Sequence, residues 1–404
     1  MSDVLTCNPT EEKETTMPSI NDARALFTLI YTGVIAASVV FIAPLLVGGM
    51  IESRGFTQQQ AGLMVSLETI SLSLAALIGT LWINRLNWRR VTQLAAALIL
   101  AGNLASLLAF ELVPLMACRF VAGFGAGTFV ALTYGALAQT SKPDRNFGLF
   151  SMGQLGYAAG ALWMLPYLLP TYSLNGIYGV LAILITPALL LHRWLPHQHK
   201  NVSHRTTHGF NLQQLLPIIV MLAAVFLFFA AQSSIWTYAA RLGLFSGFAL
   251  TDVGFALAVG AAAGFAGASY ATWLSQRFGR LGPMGVMAAI KLSALFFLLD
   301  KQAFGLFVCL ICALKFSWNF IIPYQLGLLS AIDPSGKSAV ISSFVTGMGL
   351  SAGAALAALV VNGEDYRNVI YLSAACCLLS FLLMLMTAVL HRQATLSDSA
   401  VGVH

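Results

Sequence analysis

Residues 197–211 read HQHKNVSHRTTHGFN, a polar and basic stretch near the middle of a 404-residue chain that is 58% hydrophobic and 9% charged. An average soluble protein is about 25% charged, so this much apolar sequence has to face lipid. Outward from the stretch, in both directions, the chain divides into apolar runs of roughly twenty residues, the length that crosses a bilayer as a helix. Six fit before it, at about 25–50, 58–83, 91–110, 114–138, 148–170 and 173–195. Six fit after it, at about 213–239, 252–275, 283–299, 304–329, 339–361 and 368–390. The reading is an all-α integral membrane protein with twelve transmembrane helices in two six-helix bundles. Its expected parts are a cytoplasmic tail (1–24), a first bundle (25–195), a cytoplasmic linker (196–212), a second bundle (213–392) and a second tail (393–404).

The net charge of +6 comes from 21 Lys and Arg against 15 Asp and Glu. In a membrane chain such an excess orients helices, and no nucleic-acid partner is expected. Fourteen of the cations fall in the tails and alternate loops of one side, and four (Arg54, Arg241, Lys301, Arg367) in loops of the other. Basic loops stay in the cytoplasm. Both termini are therefore expected there, with a bacterial inner membrane as the location. The cysteines at 309, 312, 376 and 377 fall inside spans, where cysteine acts as a small hydrophobe. Histidines 192, 197, 199, 204 and 208 crowd into or beside the linker at spacings that match no zinc site, so no metal or cofactor is expected. No H-E-x-x-H, G-x-S-x-G or P-loop is present, which speaks against an enzyme.

The two halves share a pattern. After the second run the chain reads NRLNWRR (84–90), and after the eighth QRFGR (276–280), with starts 192 residues apart. Weak internal symmetry of this kind is expected of transporters built from repeated halves. Twelve spans, a basic central loop and these paired loops resemble the major facilitator superfamily. Its loop signature, roughly G-x-x-x-D-R-x-G-R-R, is matched at Asn84, Arg85, Asn87 and Arg89, and again at Gln276, Arg277, Gly279 and Arg280. The resemblance implies two pseudo-symmetric bundles, a monomer, and gating loops that use Asn84, Arg85, Arg89, Gln276, Arg277 and Arg280. Both loops carry an amide where the family has an acid, which implies a weaker latch on the cytoplasmic side. The fourth span opens RFVAGFGAGT (119–128), like the arginine-and-glycine signature of many proton-coupled members. In the fifth, GQLGYAAGA (153–161) has Tyr157 where the drug antiporters have proline.

Charges inside the spans are the candidate chemistry, because a charge in hydrocarbon costs about 2.5–3.5 kcal/mol on insertion scales and normally faces a partner or a cavity. Arg119 shares a helix face with Gly123 and Gly127; those two glycines, with Gly125, Gly156 and Gly160, are the expected close-packing positions. Glu68 lies well inside the second span and is the natural partner of Arg119. The pair is either structural or a proton relay, and the relay is the reading taken here. In the tenth span Lys315 stands near mid-membrane, where it needs an anion, a deprotonated state or water. Trp318, Asn319 and Tyr324 follow it, and the seventh span adds Gln232 and Trp236 on one face. These residues, with Arg119, form the expected substrate site. Lys291 is taken as a packing or lipid-contact residue and Tyr238 as an interfacial aromatic. The expected activity is proton-coupled secondary transport of a small organic anion or zwitterion by alternating access. Drug or metabolite efflux, and a transporter-like receptor, are the alternatives. The expected partners are the solute, protons and the bilayer.

Overall fold

The structure, a computed structural model, describes residues 19–82, 86–196, 212–274, 277–333 and 337–401. Asn84, Arg85, Gln276 and the stretch 197–211 lie outside the described residues. Helix α1 (Ala23–Ala36) and α2 (Ser38–Arg54) form the first span, meeting at Ala37. Helices α3 (Gln58–Trp82), α4 (Trp88–Leu108) and α5 (Leu112–Leu137) are the second to fourth. Helix α6 (Pro143–Ile185) runs 43 residues, about twice what a bilayer needs. It breaks at Ser173, whose φ of 56° and ψ of −157° cannot continue a helix. The fifth span lies before that break. The sixth lies after it and is completed by α7 (Ala188–Leu191) and a single 3-10 turn, His192–Trp194.

Beyond the linker, α8 (Leu212–Thr237) and α9 (Ala239–Phe245) make the seventh span, then come α10 (Leu250–Leu274) and the short α11 (Leu281–Phe297). Helices α12 (Phe304–Ile332), α13 (Lys337–Val360) and α14 (Arg367–Val401) close the chain. Ten segments among the described residues are long and apolar enough to cross a bilayer. The break inside α6 and the 17-residue α11 supply the remaining two of the twelve expected spans. The last helix continues to Val401, so most of the segment expected as a second tail prolongs that helix.

The ends of these helices follow from local chemistry. The Asn87 side chain accepts the Arg89 N–H at 2.9 Å and caps α4, meeting one of the unpaired N–H groups of a first turn. Gly55, at φ 67°, ends α2 in a left-handed turn that only glycine adopts without strain. The reversal at Ser173 is pinned to the same end of α2. There the Leu174 N–H donates to Ser53 Oγ at 3.2 Å, and Arg54 Nη2 donates to Asn175 Oδ1 at 2.6 Å.

Helices cross closely where side chains are small, as lipid-embedded packing requires. A Cβ at Gly123 would lie 2.5 Å from the Glu68 carbonyl oxygen, one at Gly125 would lie 2.8 Å from that of Ala95, and one at Gly127 would overlap that of Leu72. Gly156 and Gly160 do not pack, since nothing lies within 4 Å of a Cβ at either. They share an exposed stripe of α6 with Met152, Trp163 and Tyr167. Gly153, set against Val34, takes the contact instead.

The 192-residue offset reappears in the contacts. Adding it to the pair Leu72–Gly127 gives Gly264 and Asn319, and a Cβ at Gly264 would lie 2.6 Å from Asn319 Nδ2. Adding it to Glu68–Arg119 gives Gly260 and Ile311, which also meet. The crossings α3–α5 and α10–α12 are thus the same joint built twice. Between the halves, α3 lies on α13, α6 on α10, and α2 on α8 and α9. Outward faces carry large apolar side chains, as Leu108 (81% exposed) and Ile183 (72%) show. Such a surface suits lipid and not water.

Candidate functional site

Two polar assemblies stand inside the apolar bundle. The first lies within the first half. Arg119, 1% exposed, projects from α5 onto Glu68 of α3. Its Nε donates to Glu68 Oε2 at 3.0 Å and its Nη2 to Oε1, a bidentate pair. Its Nη1 donates to Asn103 Oδ1 at 2.7 Å and reaches Ser106 Oγ at 3.5 Å, both on α4. The Tyr178 ring lies 4.9 Å from Arg119 Cζ. Every guanidinium nitrogen thus has a protein acceptor, and the charge is neutralised where it sits. Arg119 is therefore held among α3, α4 and α6 rather than presented to a groove between the halves. Asn103 and Ser106 were missed at the sequence level. Their signal was two polar residues three apart, on one face of an otherwise apolar span.

The second assembly lies in the second half, and its Trp236 reaches the first half through a bond to the Val40 carbonyl. Gln232, Trp236, Leu314, Lys315 and Trp318 share one pocket, with Ile235, Ala239 and Ile311. Lys315 Nζ sits 3.5 Å from the Trp236 ring centroid and 4.1 Å from that of Trp318. The two indoles stand edge to face, 6.5 Å apart. An ammonium between two aromatic faces gains cation–π attraction that grows as water is excluded. Among the described residues no carboxylate pairs with Lys315. Gln232, 1% exposed, leaves its Nε2 with no hydrogen-bond partner in the same pocket. Two donors thus converge where no anion is supplied. The remaining space is about 10 Å³, roughly one water.

The other expected site residues fall elsewhere. Asn319 turns to α10, donating to the Lys315 carbonyl at 3.0 Å and packing on Gly264. Tyr324 stacks on Phe320, itself 6.0 Å from Tyr270, in an aromatic ladder. It lies nine residues beyond Lys315, about 13 Å along the helix. Lys291 does not contact lipid. It is wholly buried, with Nζ unpartnered and 5.8 Å from the Phe228 ring. Tyr238 is no interfacial anchor either, being 0% exposed and donating to the Gln58 carbonyl of the other half at 2.8 Å.

The loop residues that are described bond within their own half. Arg89 Nε donates to the Leu195 carbonyl at 2.6 Å, Arg277 lies 5.1 Å from the Trp273 ring, and Arg280 borders Gly327. Among the described residues, several bonds between the halves lie at the end away from the termini. Ser66 and Ser351 exchange hydroxyl-to-carbonyl bonds at 2.9 Å each way, Gln59 donates to Val361 O at 2.9 Å, and Arg241 pairs with Glu52 at 2.7 Å. A roomier cavity of about 480 Å³ opens at that end, lined by Phe245, Asp300, Lys301, Tyr366 and Arg367. It lies in the second half alone and does not include Lys315.

A helical joint built twice and an interface between the two halves are the frame in which this pocket sits. The family model described as Major Facilitator Superfamily matches residues 28–358, and the chain belongs to that family. It is a multi-pass membrane protein. Among solved structures it is similar to a peptide transporter of the POT family in complex with sulfate (14% identity, TM-score 0.74, 91% of this chain and 95% of that one). It is also similar to the nucleoside transporter NupG (13%, 0.72, 90% and 98%) and to a D-xylose–proton symporter (15%, 0.68, 88% and 96%). Identities this low establish the fold. No curated protein matches the sequence.

Proposed function

We propose that the chain is a secondary active transporter, not an enzyme, that moves a small organic anion or zwitterion by alternating access, coupled to protons. The observation that carries this reading is the pocket that Lys315, set between two indoles, shares with the unpartnered Gln232 Nε2 and with no acidic side chain. A carboxylate supplies the acceptor those donors lack, and the indoles suit an apolar body. Export of lipophilic cations would favour an acidic cavity, which this is not. Glu68, locked to Arg119 away from the pocket, is the proton-coupling candidate, since protonating its carboxylate breaks the pair that joins α3 to α5. The basic loops put both termini in the cytoplasm, which makes the end away from them the outer one; a bacterial inner membrane and a monomeric state complete the reading.

Thermal unfolding of the purified protein across a panel of organic acids, sugars, amino acids and cationic drugs tests the proposal. A ligand at a hundred times its dissociation constant stabilises by about 2.7 kcal/mol. The expected result is stabilisation by acids that disappears in Lys315→Ala. Stabilisation by lipophilic cations alone would overturn it in favour of efflux.

A further inference from the structure

Pro44 lies inside α2 and has no N–H, so the carbonyl of Val40, four residues back, loses its helical donor. That carbonyl is not left empty. Trp236 Nε1 donates to it at 3.2 Å. Val40 belongs to the first half and Trp236 to the second, so the missing bond of one helix is replaced by a bond between the halves. The face of the same indole covers Lys315 Nζ at 3.5 Å. The space beside it holds about one water, and an organic anion cannot reach the ammonium unless an indole moves.

We propose that Trp236 is a latch between the substrate pocket and the interface of the two halves at the end away from the termini. Its N–H on the carbonyl freed by Pro44 holds the halves together on that side. An anion seated on Lys315 displaces the ring, breaks the bond to Val40 and lets that end open. The release step rests on the anion reading of the Lys315 pocket; the latch itself does not. Trp236 acts here as a positioning residue, sensing occupancy with its face and reporting it with its edge.

Hydrogen–deuterium exchange of the full-length protein tests both parts, read at segments 57–65 and 238–245. Trp236→Phe keeps an aromatic face but removes the donor. With no solute added, exchange there is expected to rise about fivefold, the effect of losing one net hydrogen bond. Peptides from α14 should exchange at the wild-type rate, which shows that the variant is folded. Pro44→Ala returns a helical donor to Val40, so in that background the Trp236→Phe effect should shrink toward none. Unchanged exchange in Trp236→Phe, or an undiminished effect beside Pro44→Ala, overturns the latch. Acetate, benzoate and succinate are then added to the wild type, where faster exchange at these segments, lost in Lys315→Ala, is expected. A carboxylate that stabilises the protein through Lys315 yet leaves exchange unchanged overturns the release step. If none of the three binds while Trp236→Phe still speeds exchange, the latch stands and the anion reading falls.

Discussion

At the scale of single residues, the decisive contrast is between two buried cations. Arg119 and Lys315 both lie inside spans, but every nitrogen of Arg119 has an acceptor and Lys315 has only ring faces. Breaking a buried ion pair by removing one member leaves an uncompensated charge and costs about 3–5 kcal/mol, whereas replacing both by apolar groups can be neutral. The second half shows what such a replacement looks like, since its equivalent joint is Gly260 on Ile311. Glu68→Ala alone should therefore lower the unfolding temperature sharply, and Glu68→Ala with Arg119→Ile should recover most of the loss. If Glu68 carries the proton, the double variant still exchanges substrate across the membrane but no longer accumulates it against a pH gradient. Accumulation that survives in the double variant would leave the pair a purely structural role.

At the scale of helices, glycine position decides what a substitution does. Gly127→Ala drives a methyl into the Leu72 carbonyl, and overpacking of this kind costs about 1–3 kcal/mol. Gly156→Ala meets open space and gains helix propensity instead. Melting curves should show the first variant clearly destabilised and the second unchanged or slightly raised. The sequence made RFVAGFGAGT legible as a packing stripe because arginine and glycines recur at helical spacing. It made GQLGYAAGA look the same, although that stripe faces outward. Spacing reports that small residues share a face, but not which neighbour that face meets. The same limit explains Asn319 and Tyr324, which lie on α12 but do not line the Lys315 pocket, and Lys291, left between packing and lipid contact and found fully buried. The spans themselves were readable to within a few residues, the last helix excepted, because twenty apolar residues have few other places to go. The bond from Trp236 to Val40 was not readable, since it joins positions 196 residues apart.

At the scale of the whole molecule, the halves are held on one side by contacts of unequal worth. The Glu52–Arg241 pair is half open to solvent on the Glu52 side, and exposed pairs contribute about 0–1 kcal/mol. The Ser66–Ser351 exchange is buried on both sides. Ser351→Ala should therefore open the end away from the termini more than Glu52→Gln does, read as faster labelling of a cysteine placed at Gln59. Equal labelling in the two variants would show that the serine exchange is not a principal tie. Opening and closing this interface also has an electrical side, which follows from the lysine set between two indoles. Glu68 and Arg119 cancel each other, but Lys315 has no counter-charge in its pocket. Under the proposed function, an empty carrier that reorients exposes that positive charge first to one side and then to the other, and one loaded with a monoanion presents none. Moving a full charge across a membrane is worth about 2.3 kcal/mol per 100 mV, so voltage should act on the return of the empty protein and leave the loaded step nearly untouched.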